Sequence, residues 1–213
     1  MSIPETGIYA AIPSLDRRID IGCIGGVVQC MHHLKRWPYH YCGNSDIALA
    51  RNVIANRFME KETDFDWFMM IDSDIEFDLS DFELLWEGDE PIVTAEYSKK
   101  VIGQPPASFG LGFTRVHRDV FQKMKDAQTS DGQEAVPRFY YDGAVHCAYF
   151  TSGPSPEARW IGEDRSLFMR IAMLTNCTYR LEKRTRLRHI GWFAYHYPDQ
   201  IPDFAAETGQ GAN

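Results

Sequence analysis

The chain has 213 residues, of which 44% are hydrophobic, 24% charged and 13% aromatic, a length and balance that suit one globular domain with a sizeable core and exclude a disordered or fibrous chain. Its 22 Lys and Arg against 30 Asp and Glu leave a net charge of −8, which offers no general attraction to phosphate backbones or anionic membranes. Five cysteines (Cys23, Cys30, Cys42, Cys147, Cys177) are odd in number and form no CxxC pair, so neither a disulfide framework nor a zinc site is expected and a reducing, cytoplasmic compartment is.

The amino-terminal stretch has no basic region followed by a long apolar run, and nothing downstream has the length of a membrane span, so neither a signal peptide nor a span is expected. "GIYAAIPS" (7–14) is a short apolar run ended by Pro13 and Ser14, predicted as a first buried strand followed by a loop. "DIALARNVIANRFMEKE" (46–62) places Ile47, Ala50, Ile54 and Phe58 at helical spacing behind a cap at Ser45 or Asp46. "DWFMMID" (66–72) is apolar on both faces, as a strand covered on each side by helices must be. A short helix over 78–88, capped by Asp78 or Ser80 and stopped at Gly88, precedes a strand over 91–98. This βαβαβ order predicts an α/β fold with a mostly parallel central sheet flanked by helices.

The second half is more mixed. A glycine-bearing strand running into the helix "RDVFQKMK" is expected within 107–127, a loop over 129–137, and strand material over 138–150 around a turn at Asp142 and Gly143. A Pro-rich loop (151–160), a helix over 162–176 with Leu167, Ile171 and Leu174 on one face, and a last strand in "YRLEKRTRLRHIG" follow. Arg180, Arg184, Arg186, Arg188 and Lys183 make that last segment a candidate basic patch, or a solvated face. Residues 1–198 are expected to form one domain and 199–213 a loosely held tail.

The feature that points to chemistry is "FMMIDSDIEF" (68–77), where an apolar strand ends in Asp72-Ser73-Asp74. Two carboxylates one residue apart at the carboxyl end of a central strand stand where open α/β sheets bind ligands. They repel unless a cation sits between them, and Mg²⁺ or Mn²⁺ takes one or two protein carboxylates together with substrate phosphates. Glu76 and Asp78 belong instead to the turn and helix cap beyond. Candidate partners are Glu163 and Asp164, which open the late helix, and His189, an acceptable Mn²⁺ ligand. Taken singly, the two acids also suit a helix first turn and the histidine a strand.

In order and spacing, "AIPS" (11–14), "ARN" (50–52), "IDSD" (71–74), "TAEYSKK" (94–100), "FGLGFTRVHRDVF" (109–121), "GEDRSLFMR" (162–170) and "LRHIG" (187–191) resemble the GT-A glycosyltransferases, in particular the family 2-like enzymes that use nucleotide-diphosphate sugars. The resemblance implies a GT-A fold, a nucleotide-sugar donor with UDP-sugars favoured, and a Mn²⁺ or Mg²⁺ cofactor. It implies Asp74 as the principal metal ligand of the DxD motif, Asp72 near the ribose or metal, and His189 as the late metal ligand. Pro13, Ser14 and Asp16 would flank the nucleotide base, while Arg51 and Lys100 would reach the nucleotide or its phosphates. Gly112 would let the backbone approach the donor closely. Asp164 would be the catalytic base, with Glu163 as its substitute or as a contact to acceptor hydroxyls, and Trp160 and Trp192 would stack on a sugar or base. The acceptor carries a hydroxyl and is a small molecule, a glycan, a protein or a modified nucleic acid base. Two other readings fit the same acids: a nucleotidyltransferase, which would bring a glycine-rich phosphate loop that "AIPSLDRR" lacks, and a non-catalytic nucleotide- or carbohydrate-binding module.

Overall fold

A computed structural model describes residues 3–5, 7–42, 46–97, 110–154 and 160–190. The first half runs β1 (Tyr9–Ser14), α1 (Ile21–Leu34), β2 (Tyr39–Cys42), α2 (Ile47–Lys61), β3 (Trp67–Ile71), β4 (Ile75–Glu76), α3 (Leu79–Leu84) and β5 (Ile92–Ala95). The second runs β6 (Phe113–His117), α4 (Arg118–Asp126), β7 (Arg138–Tyr141), β8 (Ala144–Cys147), β9 (Gly153–Pro154), β10 (Trp160–Ile161), α5 (Glu163–Leu174), β11 (Arg180–Glu182) and β12 (Arg188–His189).

The centre is a six-stranded sheet in the order β11-β5-β6-β3-β1-β2. Its strands run in one direction except β6, which is antiparallel to both β3 and β5. The fold is thus α/β with a mixed, mostly parallel sheet flanked by helices, the class expected from the sequence. Alternation along β1 and β3 explains why both read as continuously apolar. Tyr9, Ala11, Phe68 and Met70 face α2, α4 and α5, where Ile54, Phe58, Phe121, Leu167 and Ile171 meet them. Ala10, Ile12, Met69 and Ile71 face α1 and α3, where Val27, Leu34 and Phe82 meet them. Each large side chain buried this way is worth about 1.5–3 kcal/mol, so the sheet is held from both faces and its carboxyl edge is a firm platform.

Sequence expectation and structure agree on α2, β3, β5, the β6–α4 unit and α5. Asp46 caps α2 through Ala48 and Leu49, and Asp78 caps α3 in a capping box with Asp81. Asp142 and Gly143 turn the β7–β8 hairpin with positive φ (47° and 77°). α1 and β2 have no counterpart in the sequence reading. The last strand is two strands rather than one: β11 joins the main sheet beside β5, whereas β12 pairs with β4. The tail, 199–213, lies outside the described residues. No helix among the described residues is long and apolar enough to cross a membrane.

Candidate functional site

β3 ends at Ile71, and the chain turns at once: Ile75 N–H donates to Asp72 O (3.1 Å). The turn is pinned from outside by three further backbone bonds. Asp72 N–H donates to Gly112 O (2.7 Å), Asp20 N–H to Ser73 O (2.8 Å), and Ile190 N–H to Asp74 O (2.7 Å). The last bond sits beside the β4–β12 ladder, which pairs His189 with Ile75. The imidazole Nε2 consequently stands 3.3 Å from Asp74 Oδ1. The edge of the Tyr97 ring meets the His189 ring at 5.5 Å and 88°, fixing its plane.

Gly112 is built into this turn from the other side. A Cβ there would lie 2.7 Å from Asp72 Oδ2 and 2.9 Å from the Tyr97 hydroxyl, which accepts the Gly112 N–H at 3.2 Å. Gly110 is likewise closed off by Tyr97, and its carbonyl accepts from the Thr94 hydroxyl and from Thr114 (3.2 Å). The two glycines therefore allow the strand entering β6 to lie against the aspartate. Burial raises the Tyr97 phenol, and the Asp72 and Asp164 charges add to the effect, so the hydroxyl stays protonated.

Arg51 joins the turn to α5. Its side chain is 3% exposed, and Nη2 donates to both oxygens of Asp72 (2.9 and 3.0 Å), while Nη1 donates to Glu163 Oε1 (2.6 Å) and Asp164 Oδ1 (2.5 Å). Burial works to lower the guanidinium, but Asp72, Asp164 and Glu163 outweigh it and raise it, so it is always charged. For Asp164 burial is the largest influence and raises the carboxyl; Arg51 opposes it, Glu163 and Asp72 reinforce it, and the balance is pushed up to about 7. Three carboxylates around one guanidinium, with a fourth at Asp74 beside His189, leave an excess of negative charge at the sheet edge, which favours a cation.

Of the residues singled out in the sequence, Asp72, Asp74, Glu163, Asp164, His189, Arg51 and Gly112 thus belong to one cluster. Pro13 and Ser14 end β1 and are buried, with Ser14 Oγ 2.6 Å from His40 Nε2; burial lowers the His40 pKa, keeping its imidazole neutral. Asp16 is exposed and pairs with Arg18 at 3.4 Å. Trp160 is 74% exposed on β10, three residues before α5. Lys100 and Trp192 lie outside the described residues. Among the described residues, no group of three or more His, Cys, Asp and Glu is placed to hold a metal ion on its own. Asp74 and His189 form a two-donor set, and Asp72 is engaged by Arg51.

Residues that the sequence did not single out complete the site. Tyr97 supports both His189 and Gly112. Asn52 and Asn56, one helical turn apart on α2, each bond a backbone N–H and C=O pair: Asn52 that of Phe150 (2.9 and 2.7 Å), Asn56 that of Cys147 (both 2.8 Å). They fasten the segment leading toward α5 onto the helix that carries Arg51. The "ARN" tripeptide contained this signal, but the partners of its asparagine are about a hundred residues away. Three of the four arginines of 180–188 pair with acids: Arg180 with Glu90 and Glu182, Arg184 with Glu87 and Glu182, Arg188 with Glu76. Most of the positive charge of the segment is thus taken up in ion pairs.

No protein-family model matches the chain, and no curated protein does. Among solved structures, the chain is similar to A197 from STIV, with a TM-score of 0.55 and 15% identity over 87% of this chain and 86% of that one. It also aligns with the catalytic domain of Drosophila beta1,4galactosyltransferase 7, solved in complex with xylobiose (TM-score 0.44, 17% identity, 83% of this chain and 66% of that one). A third alignment is to a glycosyltransferase involved in the glycosylation of the major capsid of PBCV-1 (TM-score 0.34, 18% identity, 54% of this chain and 62% of that one). The first shows a shared fold; the other two fall below the level at which a TM-score establishes one.

Proposed function

We propose that the chain is a GT-A glycosyltransferase that moves a sugar from a nucleotide-diphosphate donor, with UDP-sugars favoured, to a hydroxyl acceptor. The observation that carries this reading is the convergence of the DSD turn, the Glu163–Asp164 pair and His189 on one sheet edge, although the turn precedes the other two by about ninety residues or more in sequence. The order of these motifs is that of the family the sequence resembles, and the edge is where α/β sheets bind ligands.

In this reading Asp164 is the general base. Its raised pKa suits a carboxylate that must accept a proton near neutral pH, and its side chain is 31% exposed, open to an acceptor. The acceptor hydroxyl gives its proton to Asp164 as its oxygen bonds to the anomeric carbon, and the bond from that carbon to the diphosphate oxygen breaks with the electron pair leaving on the diphosphate. Glu163 holds an acceptor hydroxyl or stands in for the base. Asp74 and His189 would hold Mn²⁺ or Mg²⁺: a carboxylate oxygen and an imidazole nitrogen 3.3 Å apart are suitable donors, and a two-donor set fits a cation shared with substrate phosphates. Such a cation supplies Lewis-acid neutralisation of the leaving diphosphate. Asp72 orients the ribose side, Pro13, Ser14 and Asp16 line the base pocket, Gly112 lies along the diphosphate, Lys100 is the phosphate contact that the sequence resemblance implies, and a cytoplasmic setting suits the reduced cysteines.

Asp74→Ala tests the reading. Wild type is expected to gain thermal stability from Mn²⁺ plus a UDP-sugar and to release UDP in the presence of acceptor, with both lost in the variant. Retention of both by D74A would overturn the metal assignment. Pyrophosphate release from a nucleoside triphosphate would replace the reading with nucleotidyl transfer.

A further inference from the structure

The resemblance to nucleotide-sugar enzymes gives Arg51 a place on the donor phosphates, but its surroundings give it another task. A side chain 3% exposed whose Nη atoms all face carboxylates cannot reach a diphosphate without breaking those bonds. The three acids come from two elements with no strand pairing between them: Asp72 from the end of β3, Glu163 and Asp164 from the first turn of α5. They repel one another, and the N-cap of α5, Gly162, makes no side-chain cap bond; besides Arg51, its first turn is held through Ser166, whose hydroxyl meets that of Thr151 at 2.8 Å. Arg51, in the middle of α2, bonds all three. The helix beneath it is fixed in turn by the Asn52 and Asn56 clamps. A guanidinium is suited to this task where an ammonium is not, since its planar fork meets three carboxylates in fixed directions.

We propose that Arg51 is a positioning residue, resting on the glycosyltransferase reading above: it ties the DSD turn to the candidate base at the start of α5, setting the distance between donor and acceptor halves of the site, and touches neither substrate. Lysine at this position keeps the charge and loses the fork. Arg51→Lys is therefore expected to lower kcat about a hundredfold, the loss that a displacement of about 1 Å at a reacting group can cause, while KM for the nucleotide sugar and Kd for UDP stay within about threefold of wild type. A rise of about tenfold or more in KM and UDP Kd with kcat retained would overturn the proposal and make Arg51 a donor contact.

A second comparison does not depend on turnover. In urea unfolding, Arg51→Met strands three carboxylates and is expected to lose stability, which Glu163→Gln with Asp164→Asn in the same chain should largely restore. Additive losses would mean that Arg51 is not the tie. Should R51M fail to fold, R51K takes its place in the same cycle. If wild type turns over no nucleotide sugar, the proposed function fails while this cycle still decides whether Arg51 joins the two elements.

Discussion

At Asp164 two influences compete: burial and the charges of Glu163 and Asp72 favour the acid, Arg51 the carboxylate, and the acid gains until the midpoint reaches about 7. Because a general base works only as the carboxylate, turnover is expected to rise about tenfold per pH unit below about 7 and to level off above it, whereas an unperturbed aspartate would place that limb near 3.8. Asp164→Asn should remove most of the rate, by about 10²–10⁴-fold, along with the limb itself. A profile of kcat/KM flat from about pH 5 to 8 would mean that the base titrates well below 7, and retention of the wild-type rate by Asp164→Asn would exclude Asp164 as the base. This residue was legible in the sequence as the second acid of a helix first turn, and the DSD as acids closing a strand apolar on both faces. What surrounds them was not. By local pattern alone Arg51 is one more helix arginine and Tyr97 one more strand aromatic; the resemblance marked Arg51 only as a phosphate contact. Their roles come from contacts with residues 15 to 113 positions away, which no local pattern encodes.

Elements were legible where apolar periodicity was strong and opaque where it was not. α1 carries buried Cys23, Val27, Cys30 and Leu34 at helical spacing, but Gly22, Gly25 and Gly26 dilute the pattern. Structure accounts for two of those glycines: a Cβ at Gly26 would meet the carbonyl of Phe77 at 2.6 Å, and one at Gly22 the side chain of Glu76 at 2.7 Å. The helix thus trades propensity for close approach to the segment after the DSD turn. β4 and β12 are two residues each, too short for any period to register. α2 is the element on which the site depends most, since it holds Arg51, Asn52 and Asn56, and its carboxyl end is capped by Arg118, which donates to Phe58 O (3.0 Å), Met59 O (3.2 Å) and Glu62 O (2.6 Å). Asn56→Ala would leave the buried N–H and C=O of Cys147 unbonded, for an expected loss of about 2–4 kcal/mol in denaturant unfolding. A loss below about 0.5 kcal/mol would mean that the clamp is not what holds 147–150 to α2.

Across the whole molecule, the net charge of −8 is distributed so that acids serve two ends of the sheet differently. Around Arg51 three acids share one cation; at the β11 edge Arg180 and Arg184 each bridge two of three glutamates. Glu182 is 3% exposed there, and although burial works to raise it, Arg184 (2.7 Å to Nη2, 2.8 Å to Nε) and Arg180 hold it down at about 2. Its folded pKa lies below the ordinary glutamate value of 4.5, so its contribution is complete above about 4.5 and is lost as pH falls toward 2. Glu182→Gln is expected to cost roughly 2 kcal/mol at neutral pH and to flatten the decline in Tm between those two pH values; a decline as steep as in wild type would place acid sensitivity elsewhere. The five like-directed strands were foreseeable from the βαβαβ order, but the reversal of β6 was not, because direction depends on what precedes it in space. The pairing of β12 with β4 has a consequence for how the protein comes into being. Asp74 leaves the ribosome more than a hundred residues before His189, so the sheet centre can consolidate around β1 and β3 while the cation pair is still half made. Under the proposed reading the second metal donor is added only when β12 is made, so an emerging chain carries the acidic turn before it carries the histidine that would share a cation with it.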